Sequence, residues 1–251
     1  MATIRDIYRY PIKGLSPEPL ARALLSAGAT IPGDRLYAIE NGPSGFDPAD
    51  PYLPKTRFLM LMKNERLAAL RTAFDQQSHH LTVTRDGREI ARGDLTTAAG
   101  RAAIERYFAE FCADELRGPP KVLSAPGHSF SDVARKVVSI INLASVAALE
   151  AVVGASINPL RFRANVYVEG WAPWSELDLV GKVLAAGPSA RLKVVKRIVR
   201  CAATNVDPQT GIRDLDLPQT LMRRFGHADC GIYAEVIAGG DIAPADAIEV
   251  A

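Results

Sequence analysis

The chain has 251 residues, 48% of them apolar and 23% charged, with a net charge of +2; that is enough for one large or two small globular domains with an ordinary core. No basic block or tail argues for nucleic acid, and three widely spaced cysteines (Cys112, Cys201 and Cys230) fit a reducing compartment better than a disulfide framework. The amino terminus lacks an apolar signal core, and the longest apolar stretch, Val137 to Leu149, is too short and too polar for a membrane span, so the expectation is a cytoplasmic protein without membrane contact.

In chain order, Thr3 to Ile12 is rich in Ile and Tyr and reads as a strand ending at Pro11, followed by a turn through Lys13-Gly14. Leu20 to Leu25 reads as a strand or a short helix. After a turn at Pro32-Gly33-Asp34-Arg35, Leu36 to Glu40 is a strand. Asn41 to Pro54 is crowded with prolines and glycines and forms a long loop that Lys55 and Arg57 close. Met60 to Asp75 fits a helix or a strand followed by a helix. Asp86-Gly87 marks a hairpin between Leu81–Thr84 and Glu89–Ala91. Thr97 to Cys112 reads as a helix capped by Thr96 or Thr97, with Ile104, Phe108 and Phe111 on one face. Gly118-Pro119-Pro120 breaks the pattern and sets an expected boundary between domains 1–118 and 119–251.

Beyond the break, Val137 to Ile141 is a short strand, and Asn142 or Ser145 caps a helix that ends at Gly154. A basic turn, Asn158 to Arg163, feeds a strand at Val166 to Val168. Further strands are expected at Asp178–Leu184, Leu192–Val199, Ile232–Ile237 and Ala247–Val250, with a short helix at Pro218–Phe225. Mostly short strands with turn punctuation indicate a β-rich α+β protein of barrel or sandwich type. No glycine-rich nucleotide loop is present.

Cys201 stands where the strand Leu192–Val199 runs out into a loop containing Asp207-Pro208-Gln209-Thr210-Gly211, with Arg200 beside it. A lone cysteine at a strand end is most often a small core residue; beside a guanidinium it can instead be a reactive thiolate. Lys13, Arg35, Arg161 and Arg163 recur at turns, where a scaffold holds binding groups. Converging cations would suit a phosphate, and a thiolate would suit a thiophilic metal.

Tyr10-Pro11-Ile12-Lys13, Gly33-Asp34-Arg35, Asn158-Pro159 with Arg161-Phe162-Arg163 and Asn165, Arg200-Cys201 with Thr204, Asp207, Pro208, Thr210 and Gly211, and Cys230-Gly231-Ile232-Tyr233 with Gly239-Gly240 follow one another in order. On these residues the chain resembles MOSC domain proteins that carry a MOSC amino-terminal β-barrel domain, and is similar to the amidoxime-reducing component family and its bacterial relatives. The resemblance implies two domains, an amino-terminal β-barrel and a MOSC β-barrel with short flanking helices. It implies a molybdenum cofactor (molybdopterin) between them, with Cys201 as metal ligand. Lys13, Arg35, Ser139, Asn142, Arg163, Asn165, Arg200 and Thr204 would contact the cofactor, and Asp207 would orient the loop or handle protons. The implied activity is two-electron reduction of an N-hydroxylated small molecule. No cluster of cysteines follows the motif, so electrons are expected from an external protein of ferredoxin, flavodoxin or b-type cytochrome kind.

Three departures stand out: Gly14 replaces a serine common in relatives, Asn205 replaces a usual threonine, and Gly42 to Met62 does not follow the family pattern. Two other readings are distinguishable: sulfur transfer through a Cys201 persulfide, and non-catalytic binding or carriage of the cofactor. Occlusion of the pocket by Asn41–Pro54 would favour the last.

Overall fold

The computed structural model describes all 251 residues. The first half contains β1 (Thr3–Arg9), β2 (Glu18–Pro19), β3 (Ala23–Leu25), β4 (Ala38–Ile39), β5 (Arg71–Phe74), β6 (His80–Arg85), β7 (Arg88–Asp94) and helix α1 (Ala98–Phe111). The second contains β8 (Val122–Leu123), β9 (Val138–Asn142), α2 (Leu143–Val153), β10 (Val166–Glu169), β11 (Val183–Ala186), β12 (Ala190–Val199), α3 (Leu217–Phe225), β13 (Asp229–Ala238), β14 (Gly240–Ile242) and β15 (Ile248–Val250). The architecture is the expected β-rich, two-domain one.

One sheet dominates, in the order β15-β11-β12-β13-β9-β10-β1-β2. All its pairs are antiparallel except β9 with β10, which α2 connects as a crossover. The first strand of the chain therefore lies in the sheet of the second half. The sheet curls back on itself: Ile248 N donates to Ala2 O at 3.0 Å and Ile4 N to Asp246 O at 2.8 Å, so the approach to β15 meets the free edge of β1. The side-chain period of two puts Val138 and Ile140 with Val166, Val168, Leu192, Val194, Ile232 and Ala234 inside this curl. Ile141, Tyr167 and Cys230 face outward, where Val146, Leu149, Leu217 and Leu221 of the helices cover them.

The remainder of the first half builds its own core. β5, β6 and β7 form a meander, and α1 packs Ile104, Phe108 and Phe111 with Leu67, Leu70, Phe74, Leu81 and Val83. Thr97 caps α1 by accepting from Gly100 N. The expected boundary at Gly118 is crossed by three pairings: β1 with β10, β3 with β14, and β4 with β8.

Local expectations differ in two places. Met60 to Asp75 contains no α-helix. Glu65–Ala69 is a 3₁₀ turn, and Arg71–Phe74 extends because β6 offers it a complete ladder. Asp178 to Leu184 is not one strand either. Ser175–Leu179 is a 3₁₀ turn, Gly181 takes φ +87°, and β11 starts only at Val183. Leu20 to Leu25 resolves to a three-residue strand, because Ala23–Leu25 finds its partner in β14 near the other end of the chain. No helix is long and apolar enough to cross a membrane.

Candidate functional site

A cleft of about 250 Å³ lies where the two bodies meet, lined by Lys13, Arg35 and Lys55 from the first and by Ser139, Arg163, Asn165, Arg200, Cys201, Thr204 and Tyr233 from the second. Ser131 to Val133, from the connector leading into β9, crosses its side. None of the residues Asn41 to Pro54 lines it, so the long loop does not occlude the pocket; Lys55, just past its end, reaches in, as do Met60 to Met62 further along.

Cys201 is placed by strand and turn. β12 ends at Val199, Arg200 N continues the pairing by donating to Ala228 O at 2.8 Å, and a 3₁₀ turn begins at Ala202. Thr204 fixes that turn, its backbone N and its Oγ1 each donating to Cys201 O at 3.0 Å. The Cys201 side chain is half-buried at the cleft wall, and Lys55 Nζ donates to its Sγ at 3.4 Å. The other two cysteines behave as core residues, their thiols pushed up to about 12 by burial.

The cations divide into committed and uncommitted. Arg200 spends its guanidinium on backbone, donating to Cys230 O at 2.7 Å and to Phe162 O at 3.0 Å, and so joins two walls. Arg35 pairs with Asp34, which also accepts from Tyr10 N, and donates to Arg163 O at 3.1 Å. Asp34 holds its guanidinium charged against the cost of burial. Lys13 is only 4% exposed, and its Nζ donates to Phe130 O at 2.9 Å and Asp132 Oδ1 at 2.5 Å. Burial lowers its pKa, and Asp132 opposes that. Lys55 also donates to Asp132, Oδ2, at 3.3 Å; burial alone would lower its pKa, but Asp132 and Cys201 raise it.

Arg163 is the exception. Its side chain makes no hydrogen bond or ion pair within the protein, and its backbone sits at φ +51°, in the left-handed region. The guanidinium rests on the Tyr10 ring, 4.4 Å from the centroid, with Arg35 on the same ring at 4.9 Å. An aromatic face tolerates cations without neutralising them. Burial and the neighbouring Arg35 both lower the Arg163 pKa. A cation held this way lacks an anion.

Two of the expected site residues lie outside the cleft. Asn142 caps α2, accepting from Ala144 N, and donates to Ala172 O and Glu176 Oε2. It does not line the cleft, because in β9 it stands three residues from Ser139 and an odd separation puts the two on opposite faces. Asp207 does not reach the cleft either. Its Oδ1 accepts from Gln209 N, Thr210 N and Thr210 Oγ1, and its Oδ2 from Arg161 at 3.1 Å, so it shapes the loop behind Cys201. Ser139 and Asn165 do line the floor, but they bond each other, and Asn165 Nδ2 donates to Tyr8 O; they fix β9, β10 and β1 relative to one another.

Sequence reading missed Asp132, the part Lys55 plays, and Tyr10 as the shelf for two arginines. The one available signal was that Lys55 ends a breaker-rich loop; Asp132 lies in a featureless polar connector. No three His, Cys, Asp or Glu side chains gather into a metal cluster. A metal at Cys201 would therefore bring most of its donors with it, held by the cations around its anionic tail. The uncommitted Arg163 and the accessible sulfur fit such a ligand.

Family models match nearly the whole chain: residues 1–117 match the MOSC N-terminal beta barrel domain, and residues 125–249 the MOSC domain. No curated protein matches in sequence. Among solved structures, the YUAD protein from Bacillus subtilis is 14% identical, with 99% of this chain and 94% of that one covered and a TM-score of 0.45. YiiM from Geobacillus stearothermophilus is 21% identical over 45% of this chain and 53% of that one, with a TM-score of 0.36.

Proposed function

Because this chain belongs to the MOSC family, whose domains are associated with molybdenum-cofactor binding, we propose that it is a molybdenum-cofactor oxidoreductase that reduces N-hydroxylated small molecules with electrons from a separate protein. The observation that carries the reading is the pairing, in one cleft, of an accessible thiol with an arginine that has no anion of its own.

Cys201 would hold the metal, with Lys55 donating to the sulfur and supporting negative charge there. Arg163, Lys13 and Lys55 would receive the phosphate-bearing tail, the guanidinium by its planar fork and the ammonium groups as point charges. Arg200, Ser139, Asn165 and Thr204 act one step back. Their hydrogen bonds are already made within the protein, so they keep the walls and the Cys201 turn in place rather than adapting to a ligand. When bound, the cofactor supplies two-electron oxygen-transfer chemistry, and the protein supplies position, charge and shelter from solvent.

The test is production in a host that makes the cofactor, followed by metal analysis, pterin fluorescence after oxidation, and turnover of benzamidoxime with reduced methyl viologen. Bound molybdenum with amidine formation is expected, and both should be lost in Cys201→Ala. A protein that carries molybdenum and pterin but reduces no N–O compound is a carrier. A labelled persulfide on Cys201 without molybdenum would replace reduction by sulfur transfer.

A further inference from the structure

Two carboxylates line the cleft, and they are held very differently. Asp34 is 3% exposed and belongs to the wall, fixed by Tyr10 N and Arg35. Asp132 is half-exposed and enters the cleft from the connector between β8 and β9. Its carboxylate bridges the two lysines, at 2.5 Å to Lys13 Nζ and 3.3 Å to Lys55 Nζ.

The chain that carries Asp132 is lightly tethered. Phe130 is its anchor: the ring is buried against Phe58 and Phe46, and its N donates to Arg35 O at 2.9 Å. Beyond it, the hydrogen bonds of Ser131 and Val133 are local, to Ser129, Ser131 and Val133 themselves. Asp132, Ala134, Arg135 and Lys136 are exposed, and one surface pair, Arg135 with Glu235 at 3.0 Å, touches β13. Exposed pairs of that kind hold weakly. The carboxylate is thus kept in the cleft mainly by the two ammonium groups.

Those groups need an anion. Lys13 is almost fully buried, and a buried cation stripped of its partner is strongly unfavourable. Asp132 supplies one negative charge to two lysines and leaves Arg163 without a partner. A singly charged ligand that took its place would only repeat what Asp132 provides. A phosphate monoester dianion would satisfy both lysines and also Arg163, which gains an anion it lacks.

We propose that Asp132 is a displaceable internal anion that holds Lys13 and Lys55 in the absence of ligand and makes the cleft selective for phosphate dianions over singly charged anions. It deepens, and rests on, the reading of this cleft as the seat of a phosphate-bearing cofactor. On ligand arrival the Ser131–Lys136 segment swings out about its Phe130 anchor, and the lysines pass from carboxylate to phosphate.

The experiment uses cofactor-free protein, calorimetric titration with inorganic phosphate and with formate at mildly alkaline pH, and the Asp132→Asn variant beside the unaltered chain. The variant is expected to bind phosphate at least tenfold more tightly and to acquire formate binding that the unaltered chain lacks. Equal or weaker phosphate binding in the variant would make Asp132 a fixed clamp and overturn the proposal. Hydrogen exchange on the unaltered chain gives a test that needs no variant: saturating phosphate should speed exchange in Ser131–Lys136, and unchanged or slower exchange counts against displacement. Molybdenum content from a competent host reads the cofactor assignment separately. Phosphate selectivity without molybdenum removes the cofactor and leaves Asp132 its role; molybdenum without the tenfold gain does the reverse.

Discussion

Lys55 and Cys201 come from different halves of the chain, 146 residues apart, and meet at 3.4 Å, nitrogen to sulfur. Replacing Cys201 with Ala is expected to abolish molybdenum retention while changing stability by under about 1 kcal/mol, because the side chain is half-buried and fills no core position. Lys55→Met should lower the molybdenum content several-fold without abolishing it, since Cys201, the proposed ligand, remains. Metal analysis and thermal melts of both variants check this. Full metal content in Cys201→Ala would remove the sulfur from the assignment.

Arg163 should show opposite effects on binding and on stability. Glycine accepts φ +51° without the penalty an arginine incurs there, about 1 kcal/mol. The variant also removes a half-buried cation that has no partner. Arg163→Gly is therefore expected to melt at the same temperature or higher while its phosphate affinity falls about tenfold or more. A lower melting temperature would mean that the arginine is structural.

Arg161 supports the loop behind the site. It is 3% exposed, donates to Asn205 O at 3.0 Å, and reaches Asp207 at 3.1 Å and Asp214 at 2.7 Å. Arg161→Met keeps the volume but strands these partners, at a cost of about 2 to 4 kcal/mol, reduced from a fully buried pair because both aspartates reach solvent. Denaturant melts measure the loss, and the Cys201 turn should become more protease-sensitive.

Glu176 predicts a pH dependence. Burial raises its pKa against the hydrogen bonds from Asn142 and Ser145. Its contribution to stability is complete below the unfolded carboxyl value and is lost as pH rises through the higher folded value, because ionisation then favours the unfolded chain. Glu176→Gln cannot ionise. Its stability relative to the unaltered chain should therefore increase as pH rises above the ordinary carboxyl value of about 4.3. A difference that is flat, or that runs the other way, would count against the buried-carboxylate account.

Gly14 explains its own departure from the family pattern. Its φ is +83°, and a Cβ built there would stand 2.8 Å from Leu59 O. The hydroxyl a serine would bring has no room, and Gly14→Ala should destabilise by about 1 to 3 kcal/mol. A fully stable Gly14→Ala variant would show that the loop carrying Leu59 yields.

Some of this was written in the order of residues. Apolar, β-branched runs between turn signals marked most of the strands, and Thr96 or Thr97, Asn142 or Ser145, and Gly154 marked helix ends, because these signals act within a few residues. Cys201 could be placed where a strand gives way to a loop for the same reason. The long motif order carried the family and its two-domain plan. Only the tertiary structure decided that Ser139 reaches the cleft and Asn142 does not, that Asp207 braces a turn, and that β1 and β15 close one sheet from opposite ends of the chain. It alone brought Lys55 to the thiol and Asp132 to Lys55, and left Arg163 without an anion. Local backbone preferences are fixed by neighbouring residues, but which distant charges meet depends on how whole layers pack, and that is settled by many weak contacts acting together.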